Sequence, residues 1–344
     1  MRSRIAITAG CTVVGLALAA CSSGAGTPGN SGSTTSIGFI AATPRNDGGF
    51  TQNALAGVNA AVADGGRAEL TSIVDNVVDA QAQIQGLQTL AARNSVVVAD
   101  GSSFSKPVEV VAAKFPKVRF ILVSAYTDSF LANVTSIDAA VGYDAIVAGA
   151  VASTLSRSKK LGMLAGLQVA SSASWYYGMA QGATLGTPGT EVVQTYTGDY
   201  NNVGKAKDAA NAMIATGVDS ILADLDSGAQ GVYQAADASS SPIDVYQVFS
   251  LDCNASKNVV GSGLIDWSSI LQDSVAAATA GTLPAGAISY GLDKGAVKFQ
   301  FCPGKATAAA QTLADAVTKQ LTAGQLVPAP NVLTPKPSYA FQER

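Results

Sequence analysis

Histidine is absent from all 344 residues. Its absence excludes a Ser-His-Asp triad and any zinc or haem site ligated by histidine. Charge is scarce as well: 13% of the residues are Asp, Glu, Lys or Arg, and the net charge is −3. A nucleic-acid binder needs a basic face, so nucleic acid is not an expected partner. Aromatic residues make up only 6% of the chain, and two of them are tryptophans. What is abundant is small and apolar: 48% hydrophobic residues and 35 glycines. A chain of this length corresponds to about two domains and can bury a large core without metals or disulfides. No metal and no cofactor are expected.

The amino terminus reads as an export signal. Arg2 and Arg4 precede an uncharged stretch from Ile5 to Ala20, and Leu18-Ala19-Ala20 leads into Cys21. A basic start, an apolar middle and small residues before a cut describe a signal peptide. The apolar stretch is shorter than the ~20 residues of a spanning helix. Small residues directly before a cysteine resemble a bacterial lipobox, which implies cleavage before Cys21 and lipidation of its thiol. Ser22 to Thr35 is almost wholly Gly, Ser, Thr, Pro and Asn. Such a segment buries no apolar surface and serves as a tether. The expected location is therefore the outer face of a bacterial cell membrane. Of the four cysteines, Cys253 and Cys302 remain in the folded body. Outside the cytoplasm two leftover cysteines more often pair than stay free, so a disulfide is expected.

The body alternates short apolar runs with amphipathic segments. Runs at 36–41, 70–74, 95–99 and 118–123 read as strands, with helices at 51–63, 80–92 and 108–114 between them. The pattern restarts with a helix at 145–155. Strands at 160–165, 191–196, 219–223 and 245–249 alternate with helices at 174–185, 206–215 and 229–236. Later helices are expected at 270–278 and 306–321. Continuous apolar strands between helices form parallel sheets covered on both faces. The expected fold class is α/β: two Rossmann-like lobes joined by a hinge, as in type I periplasmic binding proteins. The expected division is a signal at 1–20, a tether at 21–35 and a first lobe at 36–140 plus about 264–285. A second lobe takes 141–263 plus about 286–327, and a Pro-rich tail takes 328–344.

In open α/β sheets ligands sit beyond the carboxyl ends of the strands. The candidates follow from the loops there. Asp47, Phe50 and Thr51 follow the first strand, Asp100 and Ser102 the third, and Ser124 the fourth. In the second half Gln168, Trp175, Asp226 and Asp252 occupy corresponding loops, and Asp266 is a further candidate. A carboxylate accepts two hydrogen bonds and suits sugar hydroxyls, although each aspartate equally suits a helix cap. Paired carboxylates also belong to glycosidases, but no further sequence signature accompanies them and no enzymatic activity is expected.

These loops carry a resemblance. Asp47, Phe50 and Gln52 are similar to the D-x-x-F-N-Q motif of the basic membrane protein family, with Thr51 in place of Asn. Lys114 to Phe120 resembles that family's K-x-(Y/F)-P-x-V-K-F segment, and Ser124 stands where the family has aspartate. Asn133-Val134-Thr135-Ser136, Ala148-Gly149, Lys160-Leu161-Gly162 with Gly166 and Gly178, and Asp219-Ser220-Ile221 resemble further family segments. Trp175 takes the place of a second stacking Phe, and Asp252 lies near the family's G-x-D-x-D segment. The family's basic residue falls near Ile265-Asp266 and is missing here. The resemblance implies a monomeric, lipid-anchored binding protein that delivers a purine nucleoside to an ABC permease. Phe50 and Trp175 would sandwich its ring. Alternatives of the same fold are a receptor for a sugar or sugar derivative, and a ligand-sensing signalling lipoprotein. With no histidine, affinity is expected to be nearly flat between about pH 6 and 8 unless a carboxylate is shifted.

Overall fold

The computed structural model describes residues 34–332, except residue 66 and residues 125–130. The signal segment, Cys11, Cys21, most of the tether, Pro335 and Pro337 lie outside the described residues. In chain order β1 (Thr35–Ala41), α1 (Phe50–Gly65), β2 (Ala68–Val74), α2 (Ala80–Ala91), β3 (Val96–Asp100), α3 (Ser105–Ala112), β4 (Arg119–Val123) and β5 (Val134–Ala139) open the first lobe. The second lobe runs through α4 (Tyr143–Leu155), β6 (Lys160–Ala165), α5 (Ala170–Gly186), β7 (Glu191–Tyr196), α6 (Val203–Ala215), β8 (Ser220–Asp224), α7 (Ala229–Ala238), β9 (Asp244–Phe249) and β10 (Val259–Ile265). The chain then returns with α8 (Trp267–Thr279) and β11 (Gly286–Tyr290) to the first lobe, and ends with β12 (Val297–Phe301) and α9 (Ala308–Thr322) in the second.

Among the described residues the strands form two six-stranded sheets, ordered β11-β5-β4-β3-β1-β2 and β12-β10-β9-β8-β6-β7. Within them β12 pairs antiparallel to β10, whereas the other recorded pairs are parallel. Val96, Val97 and Val98 are all buried, as a parallel strand with helices on both faces requires. β11 hydrogen-bonds to β5 of the first sheet, whereas the division expected from sequence assigns residues 286–327 to the second lobe. β5, β10, β11 and β12 are strands that the apolar-run pattern does not reveal. Gly261, Ser262 and Gly263 make β10 look like a loop. A β-carbon on Gly263 would collide with Asp144 and with the Trp175 ring, so glycine is needed there for packing. β12 alternates buried and exposed residues, as an edge strand does.

The chain crosses between the lobes three times: at 140–142, at 265–267 and at 291–296. The crossings are joined to one another. Ala140 N–H donates to the Tyr290 carbonyl and Asp266 N–H to the Ala296 carbonyl, both at 2.8 Å.

α4 is buried on all sides, every residue from Asp144 to Ser153 included. Its closest partner is α5, where Gly178, Gly182 and Gly186 recur every fourth residue on one face. A β-carbon on Gly182 would run into the Ile146 carbonyl of α4, and one on Gly186 into the Ala150 carbonyl. The helices thus touch backbone to backbone. Gly182→Ala is expected to destabilise the protein by about 1–3 kcal/mol, as overpacking does, read as a lower urea midpoint with unchanged slope.

Cys253 and Cys302 form a disulfide with Cα atoms 5.6 Å apart. It ties the end of β12 to the loop between β9 and β10. Beyond α9 one side chain makes two bonds to the chain: Gln181 of α5 donates to the Val327 carbonyl and accepts from Ala329 N–H, each at 2.8 Å. Val332 is buried against Gly142. Among the described residues no helix is long and apolar enough to cross a membrane.

Candidate functional site

The carboxyl ends of both sheets face each other across a cavity of about 300 Å3. That volume is at the lower end of the ~300–1,000 Å3 typical of small-molecule sites. The two lobes contribute matching parts. Asp100 ends β3 beside Ala41, and Asp224 ends β8 beside Ala165. Asp100 accepts a hydrogen bond from the Thr51 hydroxyl of α1 at 2.8 Å, and Asp224 accepts one from the Ser172 hydroxyl of α5 at 2.6 Å. Both carboxyls line the cavity yet are almost wholly buried. Burial pushes Asp100 up to about 7, with repulsion from Asp47 adding to it and the Thr51 hydrogen bond opposing it. Burial likewise pushes Asp224 up to about 6.

Two hydroxyls link Asp100 to Asp47: the Thr51 hydroxyl donates to Asp100 at 2.8 Å, the Thr43 hydroxyl donates to Asp47 at 3.0 Å, and the two hydroxyls lie 2.6 Å apart.

Asp226 belongs to the second lobe but reaches the first. Its Oδ1 accepts from Phe50 N–H, at the start of α1, at 3.4 Å. A carboxylate is favoured at a helix amino terminus. Gly49 makes the approach possible, because a β-carbon there would collide with the Asp226 carboxyl. Burial, then the charges of Asp47, Asp224 and Asp100, hold Asp226 well above the usual carboxylate range.

The other wall is aromatic. Phe50 lies 5.3 Å from Trp267, edge to face, and 5.9 Å from Phe249. Tyr200 also lines the cavity. Phe249 has φ of 66°, and Ser250 N–H closes a tight turn on the Val248 carbonyl at 2.8 Å. A bulky residue in this left-handed region is strained by about 1–3 kcal/mol, a cost characteristic of ligand sites. Ser124 directly follows β4, the strand corresponding to β9, and has φ of 60°.

Of the residues expected from sequence, Phe50, Asp100, Ser102, Ser124 and Asp226 line the cavity. Asp47 and Thr51 lie behind it: Asp47 caps α1, accepting from the N–H groups of Gly49, Thr51 and Gln52. Gln168 is exposed on the loop after β6. Trp175 is fully buried, with its edge toward Phe249 at 6.2 Å, and does not line the cavity. The ring next to Phe50 is instead Trp267. Asp252 is exposed and holds its own loop, its N–H donating to the Gln247 side chain and its Oδ1 accepting from Asn254 N–H. Asp266 is exposed and caps α8 through Ser269 N–H. Asp224, Tyr200, Phe249 and Trp267 are lining residues that the loop reading does not select. Their signal in the sequence was position: each lies at a strand end or in the first turn after one.

Two lobes closing on a cavity at facing strand ends define a solute-binding protein of the periplasmic type. The family described as Bmp, ABC transporter substrate-binding protein PnrA-like, matches residues 34–326, and the chain belongs to that family. A purine-binding protein of Brucella abortus (strain 2308) is 27% identical over 195 residues, 56% of this chain and 55% of that protein. The match thus spans about half the length of that curated relative. The solved ABC transporter solute-binding protein from Aeropyrum pernix K1 has a TM-score of 0.75 at 18% identity, covering 86% of this chain and 94% of its own. The one from Conexibacter woesei DSM 14684 has a TM-score of 0.66 at 24% identity, covering 88% and 100%. These two likenesses bear on the fold alone.

Proposed function

We propose that this protein captures a small ring-bearing solute, a purine nucleoside foremost, outside the cytoplasm and delivers it to an ABC permease. The observation that carries this is the wall formed by Phe50, Phe249 and Trp267 beside strand-end carboxyls in one cavity. Flat aromatic faces hold a ring, and carboxyls accept from hydroxyls or ring N–H groups. Two groups on cavity-lining residues have no hydrogen-bond partner among the described residues: Asp100 Oδ1 and the Trp267 indole N–H. One acceptor and one donor are thus available to a ligand. The purine-binding relative supports the same ring class. Lipidation at Cys21 would keep the monomeric receptor at the membrane, with residues 22–34 as its tether.

Calorimetric titration against purine nucleosides, nucleobases and monosaccharides tests the reading. A purine nucleoside is expected to bind. A sugar hit with no nucleoside hit would replace the ligand class. Phe50→Ala is expected to weaken nucleoside binding by about 10- to 100-fold, since stacking on an aromatic side chain contributes about 1–3 kcal/mol per base. Retained affinity in that variant would contradict the ring wall.

A further inference from the structure

The cavity holds an uneven set of charges. Asp100, Asp224 and Asp226 line it, and Asp47 lies directly behind. Among the described lining residues there is no Lys or Arg. The nearest arginine along the chain, Arg45, is already bound to Asp75 at 2.7 Å. Three carboxyls in so small a space repel one another once ionised, and no cation among the described lining residues offsets them.

A second observation points to what would. Asp100 Oδ1 has no hydrogen-bond partner among the described residues, although Asp100 is only 1% exposed and lines the cavity. A buried acceptor left without a donor is costly, and a ligand group that donates there removes the cost. A third observation is independent of charge: Phe50, Phe249 and Trp267 surround one side of the space, with ring centroids 5.3 and 5.9 Å from that of Phe50. Aromatic faces attract cations through their quadrupole, tryptophan most strongly.

We propose that the cavity selects a ligand that carries a positive charge on or beside its ring, and prefers it to the neutral parent compound. This rests on the solute-binding reading above and narrows its ligand class. The cation would lie between the aromatic wall and the strand-end carboxyls. The same arrangement turns away anionic relatives of the ligand, because a phosphate placed there would face three aspartates.

Matched pairs titrated by calorimetry at pH 7.5 test this. Adenosine is compared with 5′-amino-5′-deoxyadenosine, which places the charge on the sugar, and with 1-methyladenosine, which places it on the ring. Adenosine 5′-monophosphate serves as the anionic member, and tyramine against p-cresol as a pair without a sugar. At least one cationic nucleoside is expected to bind tenfold or more tightly than adenosine, and the monophosphate not at all. Asp226→Asn and Asp100→Asn are each expected to reduce that preference at least threefold while the variants keep their folded circular-dichroism spectra. Adenosine binding as tightly as both cationic nucleosides, or comparable binding of the monophosphate, overturns the proposal. If no nucleoside binds but tyramine outbinds p-cresol tenfold, charge selection stands and the nucleoside reading falls. If no cationic probe binds, the proposal is overturned.

Discussion

Between about pH 4 and 7 the ligand-free protein is expected to lose stability as the pH rises, and Asp100→Asn is expected to abolish much of that loss. The cause is the buried Asp100 carboxyl, held up at about 7 by burial and by its neighbour Asp47. An unfolded chain releases this proton near pH 4. The folded chain therefore binds it more tightly, and proton binding favours folding. The contribution is full below about pH 4 and is gone above about pH 7. At 1.36 kcal/mol per unit, a rise of about three units corresponds to roughly 4 kcal/mol. Asp224, pushed up to about 6, acts in the same direction over a narrower range, and Asp226 shares its sign. Asn at 100 keeps an acceptor for Thr51 and carries no charge at any pH. Urea unfolding followed by tryptophan fluorescence at intervals from pH 4.5 to 8 would show curves that separate as the pH rises, with the variant the more stable at pH 8. Parallel curves would mean that Asp100 is ionised throughout. A chain without histidine promises little titration near neutrality, and here buried carboxyls provide it.

Replacing both Cys253 and Cys302 by Ser is expected to destabilise the protein by roughly 4 kcal/mol. The bond closes a loop with a sequence separation of 49, and the chain-entropy model gives about 3 kcal/mol for a 15-residue loop and about 4.7 for one of 100. The loss would appear as a melting temperature lower by about 10 °C. It would be concentrated where the bridge acts, on β12 and the loop after β9. Hydrogen exchange is thus expected to accelerate first at residues 297–301. A double variant that melts with the wild type would show that the antiparallel pairing of β12 with β10 holds this edge unaided.

The expected strands β1 and β3 and the helix α2 could be read from sequence because one residue type dominates each face. Val96 to Val98 are uniformly apolar, and Leu87 and Leu90 recur at helical spacing. β10 could not, because Gly261 sits where the Gln300 backbone comes close and Gly263 where the Asp144 and Trp175 side chains do, and that closeness belongs to the tertiary structure. The site divided along the same line. Phe50 and Asp100 follow strands that are themselves readable, so their loops could be placed. Trp267 follows β10, which is not, and so it resembles any apolar residue opening a helix. Of the two tryptophans the family resemblance drew attention to Trp175, whose environment is the core. Asp47, Asp252 and Asp266 show the ambiguity of aspartate: the residue that accepts from a ligand also accepts from the first N–H groups of a helix or turn.

The three crossings between the lobes, bonded to each other through Ala140 with Tyr290 and Asp266 with Ala296, act as a single strip. A strip of three tethers resists twist and shear and leaves bending as the soft coordinate. Any solute that bridges the walls therefore drives the lobes along one angle toward one outline. A docking partner reading that outline learns that the receptor is full but not what fills it. On the proposed reading, discrimination among solutes is completed at cavity residues such as Asp100, Asp226, Phe50 and Trp267 before the outline changes.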